Sequence, residues 1–338
     1  MDQGEQQAFE ERLRRQIEAY HESALLYAAV KLGLPDRMGK RRWAPEQLAH
    51  ELSLSALHLH RVLRGLCTIG LCEELKDGTF SLTSQGQSLA HDSTSRLAEK
   101  VQIVVEQYWQ PWAKLVAGLK TGKPAFEQAF GMSVGDWRRA HAEQGALFDA
   151  YVAKETLAQA GPIIAGLDCS GAGTVADIGG GYGGLLAAIL QAHPHLAGIL
   201  FDRPPTIAAA RSFLQSQGVA DRVQRVGGDL VAEIPLQADL YLLKGVLQQW
   251  DDEEAVAIIL KNCRNAMPDG AKVVIVERLL PERATDDPAA IMLDLHMMTI
   301  TGGRARSLAD VEALLSDAGL APLSVGRTSS GLSIIQCA

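Results

Sequence analysis

The sequence Val175-Ala-Asp-Ile-Gly-Gly-Gly-Tyr-Gly-Gly184 decides which fold we expect for the second half of this 338-residue chain. It predicts a buried strand that ends at an acidic residue and continues through glycines into a helix. Glycine lets the backbone turn sharply and lets a ligand approach the main chain, while the helix N-terminus presents unpaired N–H groups. Gly179, Gly181 and Gly184 also satisfy the dinucleotide spacing G-x-G-x-x-G. The segment therefore predicts a nucleotide-like ligand, with NAD and other adenosine ligands both open.

Three acidic residues around the glycines narrow this choice. Asp202 closes the next apolar run about twenty residues further on, where a carboxylate meets ribose hydroxyls in such folds. Asp229 follows a third expected strand, where it could accept a hydrogen bond from an adenine amine. Asp177 would place negative charge beside the diphosphate of NAD, whereas it would attract a cationic ligand. Because S-adenosylmethionine carries an ammonium and a sulfonium, we predict it as the cofactor.

Strands alternate with helices from residue 174 onward, which predicts an α/β domain with an open, Rossmann-like parallel sheet and helices on both faces. The parallel strands are expected at 174–178, 197–201, 223–227, 238–243 and 271–276. Two later β-like runs, 321–327 and 332–336, are joined by so few residues that they predict an antiparallel hairpin at the sheet edge.

The first half is expected to be mainly helical. The expected helical spans are 8–38, 44–53, 56–69, 97–119 and 134–167, with a Gly/Pro-containing stretch, 120–131, between the last two. A hairpin over 72–82, turning at Lys76-Asp77-Gly78, follows the third span. Helix, turn, helix and hairpin in this order is the winged-helix pattern.

Composition and charge limit the partners and the compartment. Asp and Glu number 40 against 32 Lys and Arg, and the resulting net charge of -8 opposes nucleic-acid binding. No apolar run reaches the roughly 20 residues of a membrane span, and the acidic, polar start is unlike a signal peptide. We therefore expect a cytoplasmic protein with neither a nucleic-acid nor a membrane partner. The five scattered cysteines indicate free thiols in a reducing compartment.

Six motifs, taken together and in this order, resemble the S-adenosylmethionine-dependent small-molecule O-methyltransferase family, which includes plant caffeate and flavonoid methyltransferases and bacterial antibiotic-tailoring enzymes. They are Asp177-Ile-Gly-Gly-Gly-Tyr-Gly183, Phe201-Asp-Arg-Pro204, Gly228-Asp-Leu230, Leu243-Lys-Gly-Val-Leu-Gln-Gln-Trp-Asp-Asp252, Val276-Glu-Arg278 and Gly302-Gly-Arg-Ala-Arg-Ser307. The resemblance covers nearly the whole chain and implies a class I methyltransferase domain preceded by a winged-helix domain that forms a homodimer. The expected boundaries are 1–97 for dimerisation, 98–166 for a helical linker and acceptor-pocket segment, and 167–338 for the methyltransferase domain.

The resemblance also implies the roles of the cofactor-binding residues. The glycine loop would meet the methionine end, Asp202 the ribose and Lys244 the carboxylate side of the cofactor. Asp229 and Leu230 would meet the adenine, with Trp250 at its ring. The full implied set is Asp177, Gly179, Gly181, Gly183, Asp202, Arg203, Gly228, Asp229, Leu230, Lys244 and Trp250.

One motif departs from the family pattern. O-methylating members have His-Asp-Trp there, and the histidine removes the proton of the acceptor hydroxyl. This chain has Gln248-Gln249-Trp250, and a glutamine has no proton affinity near pH 7, so Gln248 cannot be a general base. Of the two glutamates that flank that histidine in plant relatives, Glu277 is present, but Ala305 occupies the second position. Bacterial relatives acting on anthracyclines and phenazines also lack the histidine, so methylation is still expected.

The candidate catalytic residues are His296, Glu277, Glu106 and Tyr20. His296, on a helix that the resemblance implies to wall the acceptor pocket, is the best substitute base, although a packed, hydrogen-bonded histidine fits equally well. Tyr20 and Glu106 belong to an aromatic and acidic set that could clamp a flat ring, or could serve interface packing. Some relatives bind a metal through a His-Asp pair, but Gln248 and Gln249 replace that pair, so we predict no metal.

We therefore expect a methyltransferase that acts on a small aromatic or heteroaromatic specialised metabolite. Methyl transfer mainly requires nucleophile, methyl and sulfur to be held in line, and a base is needed only when the acceptor is a weakly acidic hydroxyl. Loss of the histidine slightly favours attack by carbon or nitrogen over oxygen. An acidic phenol that ionises without the histidine, and a cofactor-binding enzyme that does not methylate, both stay open.

Overall fold

The computed structural model describes residues 3–338 as two compact units, one ending at Trp109 and the other running from Gln110 to Ala338. This division places residues 110–166 with the cofactor-binding half. The three-part division at residues 97 and 166 stays a prediction. None of the helices within residues 3–338 combines the length and the hydropathy that spanning a bilayer requires.

The first unit is mainly helical, with one small sheet. Its helices are α1 (Gln3–Glu18), α2 (Tyr20–Lys31), α3 (Leu34–Met38), α4 (Pro45–Leu52), α5 (Ala56–Thr68) and α6 (Leu97–Ile103), and a π-helical segment (Val104–Tyr108) continues α6. Its strands are β1 (Arg42–Trp43), β2 (Cys72–Glu74) and β3 (Phe80–Leu82), paired antiparallel in the order β1-β3-β2.

The expected single helical span 8–38 is broken into three helices, since the chain leaves helical geometry near Ala19 and Gly33 adopts a φ of 64°. The predicted hairpin is confirmed. Its turn is closed by Gly78 at a φ of 79°, and the Asp77 carboxylate accepts a hydrogen bond from the Thr79 N–H at 3.1 Å. Only a residue without Cβ adopts that conformation easily. The fully buried core of this unit contains Leu34, Met38, Leu48, Leu63 and Phe80.

The second unit contains the large sheet. Its helices are α7 (Trp109–Ala113, at the boundary), α8 (Leu115–Thr121), α9 (Ala125–Phe130), α10 (Val134–Ala140), α11 (Ala142–Ala158), α12 (Ala160–Ala165), α13 (Gly184–Ala192), α14 (Pro204–Ser216), α15 (Glu253–Ala266), α16 (Pro288–Ile300) and α17 (Leu308–Asp317). Its strands are β4 (Thr174–Ile178), β5 (Ala197–Asp202), β6 (Val223–Gly227), β7 (Leu240–Lys244), β8 (Lys272–Glu277), β9 (Pro322–Arg327) and β10 (Ser333–Cys337).

The seven strands lie in the order β6-β5-β4-β7-β8-β10-β9. The first five are mutually parallel, and β10 pairs antiparallel with both β8 and β9, which confirms the predicted Rossmann-like sheet with an edge hairpin. Two strands are shifted from the prediction, by up to two residues, to Leu240–Lys244 and Lys272–Glu277. The stretch 120–131, expected only to separate helices, contains helix α9.

The sheet brings the predicted site residues to one edge. Asp177, Asp202, Lys244 and Glu277 lie at or beside the carboxyl ends of β4, β5, β7 and β8. Because these strands are parallel, all four ends lie at the same edge, where ligands bind in open α/β sheets. Apolar clusters pack on both faces, with Val175 and Ala176 on opposite sides of β4.

Candidate functional site

The glycine loop, residues 179–183, joins β4 to α13. Gly179, Gly181 and Gly183 have φ values of 70°, 60° and 83°, in the left-handed region that other residues rarely adopt. A Cβ at Gly181 would meet no atom within 4 Å, so that side of the loop is open. A Cβ at Gly184 would lie 2.3 Å from the carbonyl oxygen of Ala153. The glycines thus serve two purposes: an open backbone surface at Gly181 and close packing of α11 at Gly184.

Asp177 lies beneath this loop, with only 2% of its surface exposed. A Cβ at Gly180 would lie 2.5 Å from its carboxyl carbon, and the backbone N–H of Leu186 hydrogen-bonds the carboxylate. Burial raises the pKa of Asp177 to about 7, while the charge of Lys244 opposes the rise. The carboxyl group is therefore poised to ionise fully when a cation binds beside it.

Lys244 is the cation at this end of the site. Its Nζ donates to the Thr156 hydroxyl of α11 at 3.2 Å. Burial lowers the pKa of Lys244, and the charges of Asp177, Glu155 and Glu277 counteract that effect. A half-buried ammonium with acidic neighbours suits the carboxylate of an amino-acid ligand, the role that the resemblance implied.

Asp202 is fixed by the two backbone N–H groups that it accepts. The Gly181 N–H donates to one of its carboxylate oxygens at 2.8 Å, and the Arg203 N–H donates to the other at 2.7 Å. The carboxylate therefore ties the end of β5 to the glycine loop. Each oxygen retains a lone pair for a ligand hydroxyl.

The predicted adenine end lies beyond β6. Gly228 packs so closely on Phe201 that a Cβ would come within 2.5 Å of the ring. Asp229 is exposed and accepts the Val231 N–H at 2.9 Å, while Leu230 is half-buried against the core of the sheet. Trp250 is also half-buried. The structure places these residues as predicted, and their contacts with an adenine stay a prediction.

The segment 246–250, which contains the two glutamines, is held from two sides. The buried Glu277 carboxylate accepts the Gln248 N–H at 3.2 Å, and burial raises the pKa of Glu277 to about 7. The guanidinium of Arg306, 1% exposed, donates to the carbonyl oxygens of Leu247 at 2.9 Å and Trp250 at 3.0 Å. Glu277 therefore binds protein backbone and is no freely accessible base. Sequence reasoning quoted Arg306 within a motif but assigned it no role.

His296 lies on α16, where its ring stacks on Trp112 with a centroid distance of 6.3 Å and an interplanar angle of 24°. Burial lowers the pKa of His296 to about 4, and the charge of Arg138 lowers it further. The imidazole is neutral at pH 7, but its affinity for a proton is weak. Its assignment as a base stays a prediction, and the stacking shows that packing is one of its roles.

Tyr20 and Glu106, the other two candidate catalytic residues, lie in the first unit. Tyr20 is 59% exposed and its ring lies 4.2 Å from that of His21. Glu106 accepts hydrogen bonds at 2.8 Å from both the Tyr27 hydroxyl and the Lys31 ammonium. Glu106 is therefore engaged within its own unit, and a catalytic role for either residue stays a prediction. Within residues 3–338, no three acidic, His or Cys side chains cluster as a metal site would require.

Two site residues on α11 escaped sequence reasoning, namely Asp149 and Thr156. Burial raises the pKa of Asp149 to about 6, with Arg138 and Arg203 opposing the rise and Asp202 adding to it. Both side chains come from a helix without a recognisable motif. The available signal was the acidic residue in Phe148-Asp149, one to two turns before a face that packs on Gly184.

Residues 112–321 match the model of the O-methyltransferase domain, and residues 15–92 match the model of the O-methyltransferase dimerisation domain. The chain belongs to the O-methyltransferase family. Together with the glycine loop and the acidic strand ends, this makes it an S-adenosylmethionine-dependent methyltransferase.

Relatives and solved structures align over nearly the full chain. The phenazine O-methyltransferase PhzM of Lysobacter antibioticus is 36% identical over 325 residues, covering 96% of this chain and 94% of its own. The phenazine-1-carboxylate N-methyltransferase of Pseudomonas aeruginosa is 31% identical over 300 residues, 88% of each chain. The crystal structure of LaPhzM has a TM-score of 0.91 at 36% identity, covering 97% of this chain and 98% of that one. NcsB1, solved with S-adenosylmethionine and 2-hydroxy-5-methyl naphthoic acid, has a TM-score of 0.79 at 30% identity, covering 94% and 95%.

The residues present fit this cofactor. The donor set at the strand ends is anionic, with Asp177, Asp202 and Asp149 around the open face of Gly181. Such a set attracts a sulfonium and an ammonium and repels a diphosphate. Lys244 supplies the one opposite charge, which the cofactor carboxylate requires.

Proposed function

We propose that the enzyme methylates a small aromatic metabolite at a hydroxyl that loses its proton readily, such as a phenol next to an electron-withdrawing ring. The observation that carries this proposal is the low proton affinity around the segment 246–250. Gln248 has no basic group, and burial lowers the pKa of His296 to about 4. An acceptor that reaches the site as its anion requires no stronger base.

Relatives support the substrate class. PhzM of Lysobacter antibioticus acts on a phenazine oxygen by name, and NcsB1 was solved with a hydroxylated naphthoic acid. Both ligands are flat and aromatic. Trp112 offers an aromatic surface of matching shape beside His296, and such rings stabilise flat ligands by stacking.

The protein then contributes orientation more than proton transfer. When bound, S-adenosylmethionine supplies the electrophilic methyl group. Glu277 and Arg306 fix the segment 246–250, Asp202 fixes the glycine loop, and the stacked His296 and Trp112 exclude water from one side of the acceptor. Correct alignment of reacting groups alone is worth roughly 7–11 kcal/mol at best.

A ring nitrogen is the second candidate acceptor. A heteroaromatic nitrogen has its lone pair available without proton removal, and the relative from Pseudomonas aeruginosa is an N-methyltransferase. The slight preference for carbon that the lost histidine suggested finds no counterpart in the relatives named above, and we no longer favour it.

The test is turnover with methyl-labelled cofactor against hydroxyphenazines and hydroxynaphthoates whose hydroxyl pKa ranges from about 6 to 10. We expect kcat/KM at pH 7 to follow the fraction of acceptor already ionised, and mass spectrometry to place the label on oxygen. A rate that is independent of acceptor pKa would contradict the proposal. Label on nitrogen alone would favour the second candidate.

We propose further that the chain works as a homodimer in the cytoplasm. Residues 15–92 match a dimerisation domain, and α1 buries none of its residues. Phe9, Leu13 and Ile17, spaced by four, leave 41%, 40% and 72% of their surface exposed on one side of that helix. Light scattering should report a dimer that Ile17→Lys weakens and that the neighbouring Gln16→Lys does not. A monomeric wild-type protein would refute this assembly.

A further inference from the structure

Helix α11 forms one wall of the cofactor site, although no motif marks it. The Ala153 carbonyl contacts Gly184 so closely that a Cβ there would lie 2.3 Å away. Residues four before and three after Ala153 share its helical face, and these are Asp149 and Thr156. Thr156 accepts a hydrogen bond from Lys244 at 3.2 Å. The face therefore reaches from the end of β7 toward the glycine loop and the end of β5.

Asp149 is the charged residue of this face. The groups around it come from three elements: Arg138 from α10, Tyr182 from the glycine loop, and Asp202 with Arg203 from the end of β5. The Asp149 side chain is half-buried, and no hydrogen bond to its carboxylate contributes to its shifted pKa. A half-buried carboxylate beside a second carboxylate is poorly compensated unless a ligand brings positive charge.

Arg138 locates Asp149 relative to the acceptor side of the site. Its guanidinium stacks on the ring of Phe148, 3.2 Å from the centroid. Its charge lowers the pKa values of both Asp149 and His296, so it lies near both. Asp149 thus lies near Asp202, which faces the ribose, and near the His296 side as well. In S-adenosylmethionine the sulfur is bonded to the ribose carbon and carries the methyl that leaves for the acceptor, so its charge belongs between these two places.

We propose that Asp149 recognises the positive charge of the sulfonium and thereby distinguishes S-adenosylmethionine from the product S-adenosylhomocysteine. The product keeps the adenine, ribose and amino-acid groups but has a neutral sulfur. After transfer, Asp149 faces a thioether that no longer attracts it, which weakens product binding. The proposal rests on the cofactor dependence of the family and is independent of the acceptor atom.

The first test is calorimetric binding of S-adenosylmethionine and S-adenosylhomocysteine to the full-length protein at pH 7.5. Asp149→Asn keeps the size of the side chain and removes its charge. We expect a Kd for the cofactor at least tenfold higher, with the Kd for the product changed less than twofold. Glu143→Gln, at an exposed position in the first turn of the same helix, should leave both constants unchanged. Equal losses for the two ligands, or no loss, would overturn the proposal.

A second measurement needs no variant to fold. Burial and Asp202 raise the pKa of Asp149 to about 6, so a nearby cation should expel its proton. Titrations of wild-type protein at pH 6 in buffers of different ionisation enthalpy should show more proton release with the cofactor than with the product. Asp177 also titrates near this pH, so the same titrations on Asp149→Asn identify the share due to Asp149. Equal release for both ligands would refute discrimination by charge, while leaving the acceptor proposal intact.

Discussion

Replacing Arg306 by methionine tests whether the segment 246–250 is held by a buried cation. The Arg306 side chain is fully buried, donates to two backbone carbonyls at 2.9 and 3.0 Å, and pairs with Glu253 at 3.3 Å. Hydrogen bonds from a charged donor are worth about 1.5–3 kcal/mol each, and breaking a buried pair costs about 3–5 kcal/mol. Arg306→Met should therefore destabilise the second unit by about 3–5 kcal/mol. For a domain of this size that lowers Tm by about 10 °C.

The matched control is Arg304→Met, since Arg304 also pairs with Glu253 but its side chain is 44% exposed. Exposed pairs contribute about 0–1 kcal/mol, so this variant should melt within about 3 °C of wild type. Differential scanning calorimetry of the three proteins at pH 7.5 measures the difference directly. If Arg306→Met melts as high as Arg304→Met, the buried guanidinium does not stabilise the segment, and our reading of the segment is incorrect.

Three further predictions concern the same unit. Glu277 has a pKa raised by burial to about 7, so its contribution to stability is complete below the unfolded pKa and is lost as pH rises through 7; urea unfolding at pH 6 and 8 should show wild type losing about 1 kcal/mol more than Glu277→Gln. With a pKa of about 4, His296 is a weak base, so His296→Gln should lower kcat/KM less than tenfold with an unchanged pH profile between 5.5 and 8; a loss of 100-fold or more would identify a general base. Gly181→Ala should weaken cofactor binding more than tenfold at a cost of about 1–2 kcal/mol, whereas Gly184→Ala, whose Cβ would clash with Ala153, should chiefly lower Tm; the reverse order in calorimetry and melting would contradict the assigned roles.

The cofactor residues that the sequence predicted share one property: each follows the end of a strand. Asp202, Asp229 and Lys244 come directly after or at the end of apolar runs, and parallel pairing carries such positions to a single edge. Local pattern and general sheet geometry therefore suffice to group them. The same reasoning located the edge hairpin, because a short connection permits only antiparallel pairing.

Other features depend on tertiary packing and leave no local pattern. Asp149 reaches the site because Gly184 admits the backbone of α11, a contact between residues more than thirty positions apart. Arg306 acts through a buried contact with Leu247 that no periodicity indicates. Helix breaks were also missed, since the apolar density of 8–38 continues past Gly33, where only the backbone conformation changes.

The two acidic residues with pKa values near 7 have different consequences for function. The Glu277 carboxylate is committed to the backbone at Gln248, so its protonation alters the stability of the segment and has little effect on a proton of the acceptor. Asp177 lies under the glycine loop beside Lys244, so its ionisation is coupled to cofactor binding. A pH dependence between 6 and 8 therefore should appear in the cofactor Kd before it appears in the methyl-transfer step. If the transfer step alone depends on pH, ionisation of the acceptor is the remaining cause, which is the dependence that an acidic hydroxyl predicts.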